Sequence, residues 1–152
     1  MKKPIFIAAM VFCAIGTLTA AHAQNTKTTL GSEKISKIAG NVYEDYMAGG
    51  VRKILSSENY CWKDAARKPI NSDTKKIKVA ECAAAAVTGG VIETAYAREE
   101  MRGSHPQYTG EAIRSRIFLK SGLSKDETTD ILSNTRDNID SIILGLAAAG
   151  MQ

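Results

Sequence analysis

Residues 32–55 read SEKISKIAGNVYEDYMAGGVRKIL, and their spacing decides the fold class. Ile35, Ile38, Ala39, Val42, Tyr43, Tyr46, Met47, Gly50, Val51, Ile54 and Leu55 follow one another so that each has a partner three or four residues away. That is the α-helical period, held for roughly six turns. Ser32 suits the N-cap and Glu33 the first turn, where a negative charge meets the helix dipole. The spacing predicts one long helix with a face buried along nearly its whole length.

Further along the chain the helical signals continue. Ser57 and Glu58 read as a polar boundary, followed by a short helix or turn over 59–66 that stops before Pro69. Trp62, the only tryptophan, is expected as a core plug beside Cys61. Asn71-Ser72-Asp73 forms the next N-cap signal. From Ile77 through Val79, Ala83, Ala86, Val87 and Val91 a second long helix runs toward Met101. Its centre, Ala83-Ala84-Ala85-Ala86, is built of small residues, so it is expected as the central helix, packed on more than one side. Gly103-Ser104-His105-Pro106-Gln107 is the clearest loop, with Gly103 suited to the helix C-cap region. Thr109 caps a short helix bearing Ile113 and Ile117, which Gly122 ends and Leu123 follows. Ser124 and Glu127 make a capping box for a last helix through Ile131, Ile139 and Leu146 to Gly150. No segment alternates as a strand would. The expected fold is all-α: a compact helical bundle of about four main helices, plus one short helix at Cys61, over residues 32–152.

Two glycine pairs interrupt these patterns, in Ala48-Gly49-Gly50-Val51 and Thr88-Gly89-Gly90-Val91. Glycine inside a helix costs roughly 1 kcal/mol relative to alanine. Four of them need a reason: close helix crossing, or else a kink or a flat surface for a partner.

The N-terminus has the three parts of a secretory signal in order. Lys2 and Lys3 give the positive region, Ile5 to Leu18 the apolar run, and Ala21-His22-Ala23 the small-residue cleavage site. The run is shorter than the roughly 20 residues a membrane span needs. Residues 1–23 are therefore expected to be removed after Ala23, leaving no membrane anchor, and 24–31 to form a flexible polar leader. Removing 23 of the 152 residues leaves 129, enough for one domain. It also leaves 18 basic side chains against 16 acidic ones, since Lys2 and Lys3 go. So even a balance gives no footprint for nucleic acid. Cys13 goes as well. In an exported chain the remaining pair, Cys61 and Cys82, reads as a structural disulfide. It closes a loop of about 20 residues, worth roughly 3 kcal/mol in the chain-entropy model.

Most chemistries lack their parts. His105 is the only histidine after cleavage, and no G-x-S-x-G nucleophile motif accompanies it. A zinc site needs more His or Cys ligands than remain. Haem-attachment, calcium-loop and phosphate-loop motifs are absent, so no metal and no cofactor is expected. Glu81, Glu93, Glu99 and Glu100 leave a hydrolytic carboxylate pair open, because its spacing is set in three dimensions. The basic runs Arg52-Lys53, Lys75-Lys76-Lys78 and Arg114-Arg116-Lys120 read as solvated faces or as electrostatic docking patches. The expectation is a binding protein rather than an enzyme.

In this format the chain resembles the periplasmic immunity proteins that protect bacteria from type VI secretion amidase effectors. The resemblance rests on the signal ending Ala21-His22-Ala23 and the helix through Tyr46-Met47-Ala48-Gly49-Gly50-Val51. The Cys61 and Cys82 pair on adjoining helical segments and the helical period after Ser72 complete it. It implies a periplasmic, homodimeric, stoichiometric inhibitor of a secreted peptidoglycan amidase with a papain-like cysteine-histidine site. Such proteins push a loop or helix end into the enzyme's cleft. On physical grounds the best insertion element here is the Gly103–Thr109 loop, with Ser104, His105 and Gln107 as polar tips and Tyr108 as an aromatic anchor. Two rivals stay open: a chaperone-like periplasmic protein that binds clients through the double-glycine faces, and a small cell-wall lytic enzyme.

Overall fold

A computed structural model describes residues 29–152. The signal region and the start of the leader lie outside the described residues. Five helices follow in order: α1 (Ser32–Arg67), α2 (Asp73–Glu99), α3 (Gly110–Ser121), α4 (Lys125–Asp137) and α5 (Ile139–Ala148). A 3-10 turn, Pro106–Tyr108, lies between α2 and α3. There is no strand among the described residues, and the all-α bundle matches the spacing of the sequence.

The first helix differs from its expected form in three ways. Ser32 is its first helical residue and not its cap; Gly31 takes the N-cap place, with no side-chain cap bond. The helix does not end at Ser57 but continues to Arg67, where Lys68 turns extended ahead of Pro69. Glu58 looked like a boundary because it is charged, yet it is buried in the apolar stripe. The helix is also not one rod. Gly49 and Gly50 leave helical geometry, Gly50 at φ +61° and ψ −156°. In a straight helix residues 34 and 64 would stand about 45 Å apart. Instead Lys34 pairs with Glu81, and Asp64 pairs with Lys78, three residues away on α2. The chain therefore folds back at the glycine pair. The arm over 32–48 runs parallel to α2, with Tyr43 reaching Tyr96, and the arm over 51–67 runs antiparallel to it.

The second arm is fastened to α2 by the Cys61–Cys82 disulfide, with Cα atoms 5.7 Å apart. Trp62 is buried beside it, as its position suggested. Ser72 caps α2 by accepting the Lys75 N–H. Val79, Ala80, Cys82, Ala83, Ala84 and Ala86 are all buried, so α2 is the central helix that its small residues predicted.

The C-terminal half returns to the first arm. Thr109 caps α3, Gly122 ends it in the left-handed conformation, and Ser124 with Glu127 forms the complete capping box of α4. The single last helix expected from the period is two helices. Asn138 breaks it at φ −106° and ψ 23°, and its side-chain N–H donates to the Asn134 carbonyl at 2.8 Å. The break lets α5 lie against α1 at van der Waals contact. A Cβ on Gly145 would sit 2.2 Å from the Ser36 carbonyl oxygen, and the Ser36 hydroxyl donates to the Ser141 carbonyl at 2.7 Å. The leader also ends differently from expectation. Leu30 is buried, and its N–H donates to the Asn134 side chain at 3.2 Å.

Candidate binding surface

The segment between α2 and α3 is short of regular structure, yet it is held at both ends by buried carboxylates. At the near end α2 closes in a Schellman turn: the Met101 N–H donates to the Arg98 carbonyl and the Arg102 N–H to the Ala97 carbonyl. The position that needs left-handed backbone is Met101, at φ +53°, rather than Gly103, which the sequence suggested. The turn carries Arg102 back over Glu93, whose residue surface is 0% exposed. Both terminal nitrogens of the guanidinium bind the Glu93 carboxylate, and the His105 backbone N–H donates to it at 2.8 Å. Burial works to raise the Glu93 pKa, but these donors and the charge of Arg102 outweigh it and hold it below the ordinary carboxylate value.

At the far end the anchor is Glu58, from the second arm of α1. It accepts the Trp62 indole N–H at 3.1 Å, the Tyr108 hydroxyl at 3.1 Å, and two N–H groups of Arg116. Arg116 also donates to the Gln107 carbonyl at 2.7 Å and stacks over the Tyr108 ring, 5.3 Å from its centroid. Burial, then the neighbouring Glu58 charge, pushes the Tyr108 pKa far up, so the phenol stays protonated and donates. Its ring occupies the space left by Gly89, where a Cβ would meet it at 2.5 Å. Ile113 fills the place beside Gly90 in the same way, also at 2.5 Å.

Of the four residues expected to meet a partner, Tyr108 is the one the structure takes away: it is 2% exposed and anchors the loop from within. Gln107 is exposed, and Ser104 and His105 are half-buried. The His105 Nδ1 accepts the Gln107 N–H at 3.3 Å. The open carboxylates divide. Glu93 is enclosed and paired, Glu81 is paired with Lys34 and Lys78, and Glu100 with Arg102. Both buried glutamates are saturated with donors, which is an arrangement for positioning a loop. No group of three His, Cys, Asp or Glu side chains among the described residues could hold a metal ion.

Glu58 and Arg102 were not singled out from the sequence as functional residues, and Arg116 stood only in a basic run read as a solvated face or a docking patch; the structure commits its charge to Glu58 instead. A signal existed for Glu58. It stands four residues from both Ile54 and Trp62, on the stripe that must face the core. A charge there requires donors, and Arg116 and Tyr108 lie too far along the chain for the spacing to reveal them.

No helix among the described residues is long and apolar enough to cross a membrane. Compared with protein-family models, curated proteins and solved structures, the chain matches none.

Proposed function

We propose that this protein is a periplasmic inhibitor of a secreted peptidoglycan amidase: an immunity protein whose 103–109 loop blocks the active-site cleft of a papain-like cysteine enzyme. The observation that carries the reading is the bracing of that loop. A segment that enters a cleft loses affinity if it must first be ordered. Here Glu93 and Glu58 fix its two ends from beneath, so Gln107, Ser104 and His105 are offered in a set conformation. The Cys61–Cys82 disulfide fits an oxidising compartment, and the N-terminal sequence fits export with cleavage after Ala23. A homodimer of the chain would carry two such loops.

The test is direct. Mature protein is mixed with a purified papain-like peptidoglycan amidase of a toxin-delivering bacterium, and muropeptide release is followed. The expected result is a one-to-one complex and complete inhibition, relieved by Gln107→Arg, a change at an exposed tip. Digestion of peptidoglycan by the protein unaided would make it an enzyme and sink the proposal. Suppression of aggregation across unrelated clients, with no specific amidase complex, would do the same in favour of the chaperone-like rival.

A further inference from the structure

A groove runs along the outer side of α2 and joins the braced loop at Tyr108 and Gly110. Two adjoining hollows of about 410 and 420 Å³ form it, and they share Val87, Gly110 and Ile113. On the α2 side Val87, Val91, Ala95 and Arg98 recur at helical spacing, a stripe that no other helix covers completely. From Val87 to Arg98 it is roughly 16 Å long, or three helical turns. Phe118 and Leu132, from α3 and α4, make the opposite wall.

The rim carries one sign of charge. Arg98, Arg114 and Arg136 line the hollows, and no carboxylate lines either of them. All three arginines are exposed, and none forms an ion pair among the described residues. This sets them apart from Arg102 and Arg116, which are committed to Glu93 and Glu58. Arg114 lies over the Phe118 ring at 5.8 Å, so its charge is held above the apolar wall.

We infer that this groove receives an amphipathic helix of a protein partner, with an apolar stripe for the floor and carboxylates on its flanks for the three arginines. The length and apolar floor suit a helix of three to four turns. Guanidinium groups bind carboxylates in a two-pronged geometry, which fixes orientation as well as adding attraction. A bilayer surface offers no ridge to fill a concave channel. The inference stands whether or not the partner is an amidase, because it depends on the groove and its rim rather than on the loop.

The test uses two synthetic helical peptides of roughly 14 residues with the same leucine stripe, one flanked by glutamates and one by lysines. Each is titrated into isotope-labelled mature protein and followed by amide NMR shifts, with phosphatidylglycerol vesicles as a third probe. The glutamate peptide should bind about tenfold more tightly than its lysine twin. It should move the amides of Val87, Val91, Ile113 and Leu132, and weaken with added salt. The triple change Arg98→Glu, Arg114→Glu and Arg136→Glu should reverse the preference. Arg→Gln at the same three positions, a milder change, should abolish it. Equal binding of both peptides, shifts confined to other surfaces, no binding at millimolar peptide, or a preference for the vesicles would each overturn the inference. None of these outcomes bears on inhibition of an amidase by the loop.

Discussion

Ala48-Gly49-Gly50-Val51 and Thr88-Gly89-Gly90-Val91 share a Gly-Gly-Val core, and both fall in segments of helical period. In the first pair it is Gly50 that uses glycine for its backbone. Gly50 sits at φ +61° with nothing within 4 Å of where a Cβ would be, and the chain reverses there. The second pair uses glycine for its missing side chain. Gly89 and Gly90 are helical and buried, and the ring of Tyr108 and the end of Ile113 fill the space. The same dipeptide thus solves a turning problem in one place and a packing problem in the other. Side-chain space distinguishes Gly50 from Gly89 and Gly90, and it can be probed by substitution.

The largest effect is expected at the packed pair. Gly89→Ala would place a methyl 2.5 Å from the Tyr108 ring. The ring cannot retreat freely, because its hydroxyl is bound to Glu58 and Arg116 covers its face. Overpacking of this kind costs about 3 kcal/mol, measurable as a lower midpoint in urea unfolding. A double-mutant cycle with Tyr108→Leu should show strong coupling. An additive cycle would mean that the two sites do not interact as described.

Next comes the buried pair one turn beyond. Glu93→Gln removes the charge that Arg102 and the His105 N–H address, at about 2 kcal/mol for charge-assisted hydrogen bonds. The pH dependence gives a second reading. Because the folded pKa of Glu93 is depressed, the unfolded chain binds its proton first. Its contribution is complete above the unfolded value of about 4.3 and is lost as pH falls through the folded one. The wild-type protein should therefore lose more stability between pH 5 and 3 than the Gln variant. Equal slopes would contradict the pairing.

The turning pair should respond less, and to chirality. Gly50→Ala meets no neighbour but must adopt a conformation open in practice to glycine alone, a strain of about 1–3 kcal/mol. The reduced freedom of the unfolded chain returns about 0.4–1 kcal/mol. The net loss is about 1–2 kcal/mol. D-alanine at the same position, placed by peptide ligation, favours φ +61° and should be neutral or stabilising. At Gly89 neither enantiomer should be tolerated. If D-alanine at position 50 were as damaging as L-alanine, crowding rather than backbone geometry would explain this glycine.

This contrast also marks what the residues alone could reveal. The helical stripes, the caps at Ser72, Thr109 and Ser124, the stop at Gly122 and the cysteine pair are local signals, and the fold follows them. A kink was one reading of the glycine pairs, but the full reversal at Gly50 was hidden because both arms of α1 bury a stripe on the same partner, so the apolar period continues in phase across the turn. The break at Asn138 was hidden for a similar reason, since Ile131, Ile139 and Ile142 keep helical spacing through it. The loop itself was visible from Gly103 and Pro106. Its supports were not, because Glu58 lies 50 residues from Tyr108 and 58 from Arg116, and pairings of that range leave no trace in spacing.

The smallest effect is expected where a side chain occupies a place suited to glycine. Met101 takes the left-handed position of the Schellman turn at φ +53°, the role that glycine fills in most such caps. Left-handed backbone costs an L-residue about 1–2 kcal/mol. Met101 is 94% exposed, so its removal sacrifices little packing. Met101→Gly loses some of the gain to the greater freedom of the unfolded chain and should stabilise the protein by about 1 kcal/mol. It thus reverses the sign of Gly50→Ala: one change removes a side chain from left-handed backbone and the other adds one. A melting temperature lowered by Met101→Gly would show that the exposed methionine makes a contact worth more than the strain it carries, and would point to the end of α2 as a second surface to test for partners.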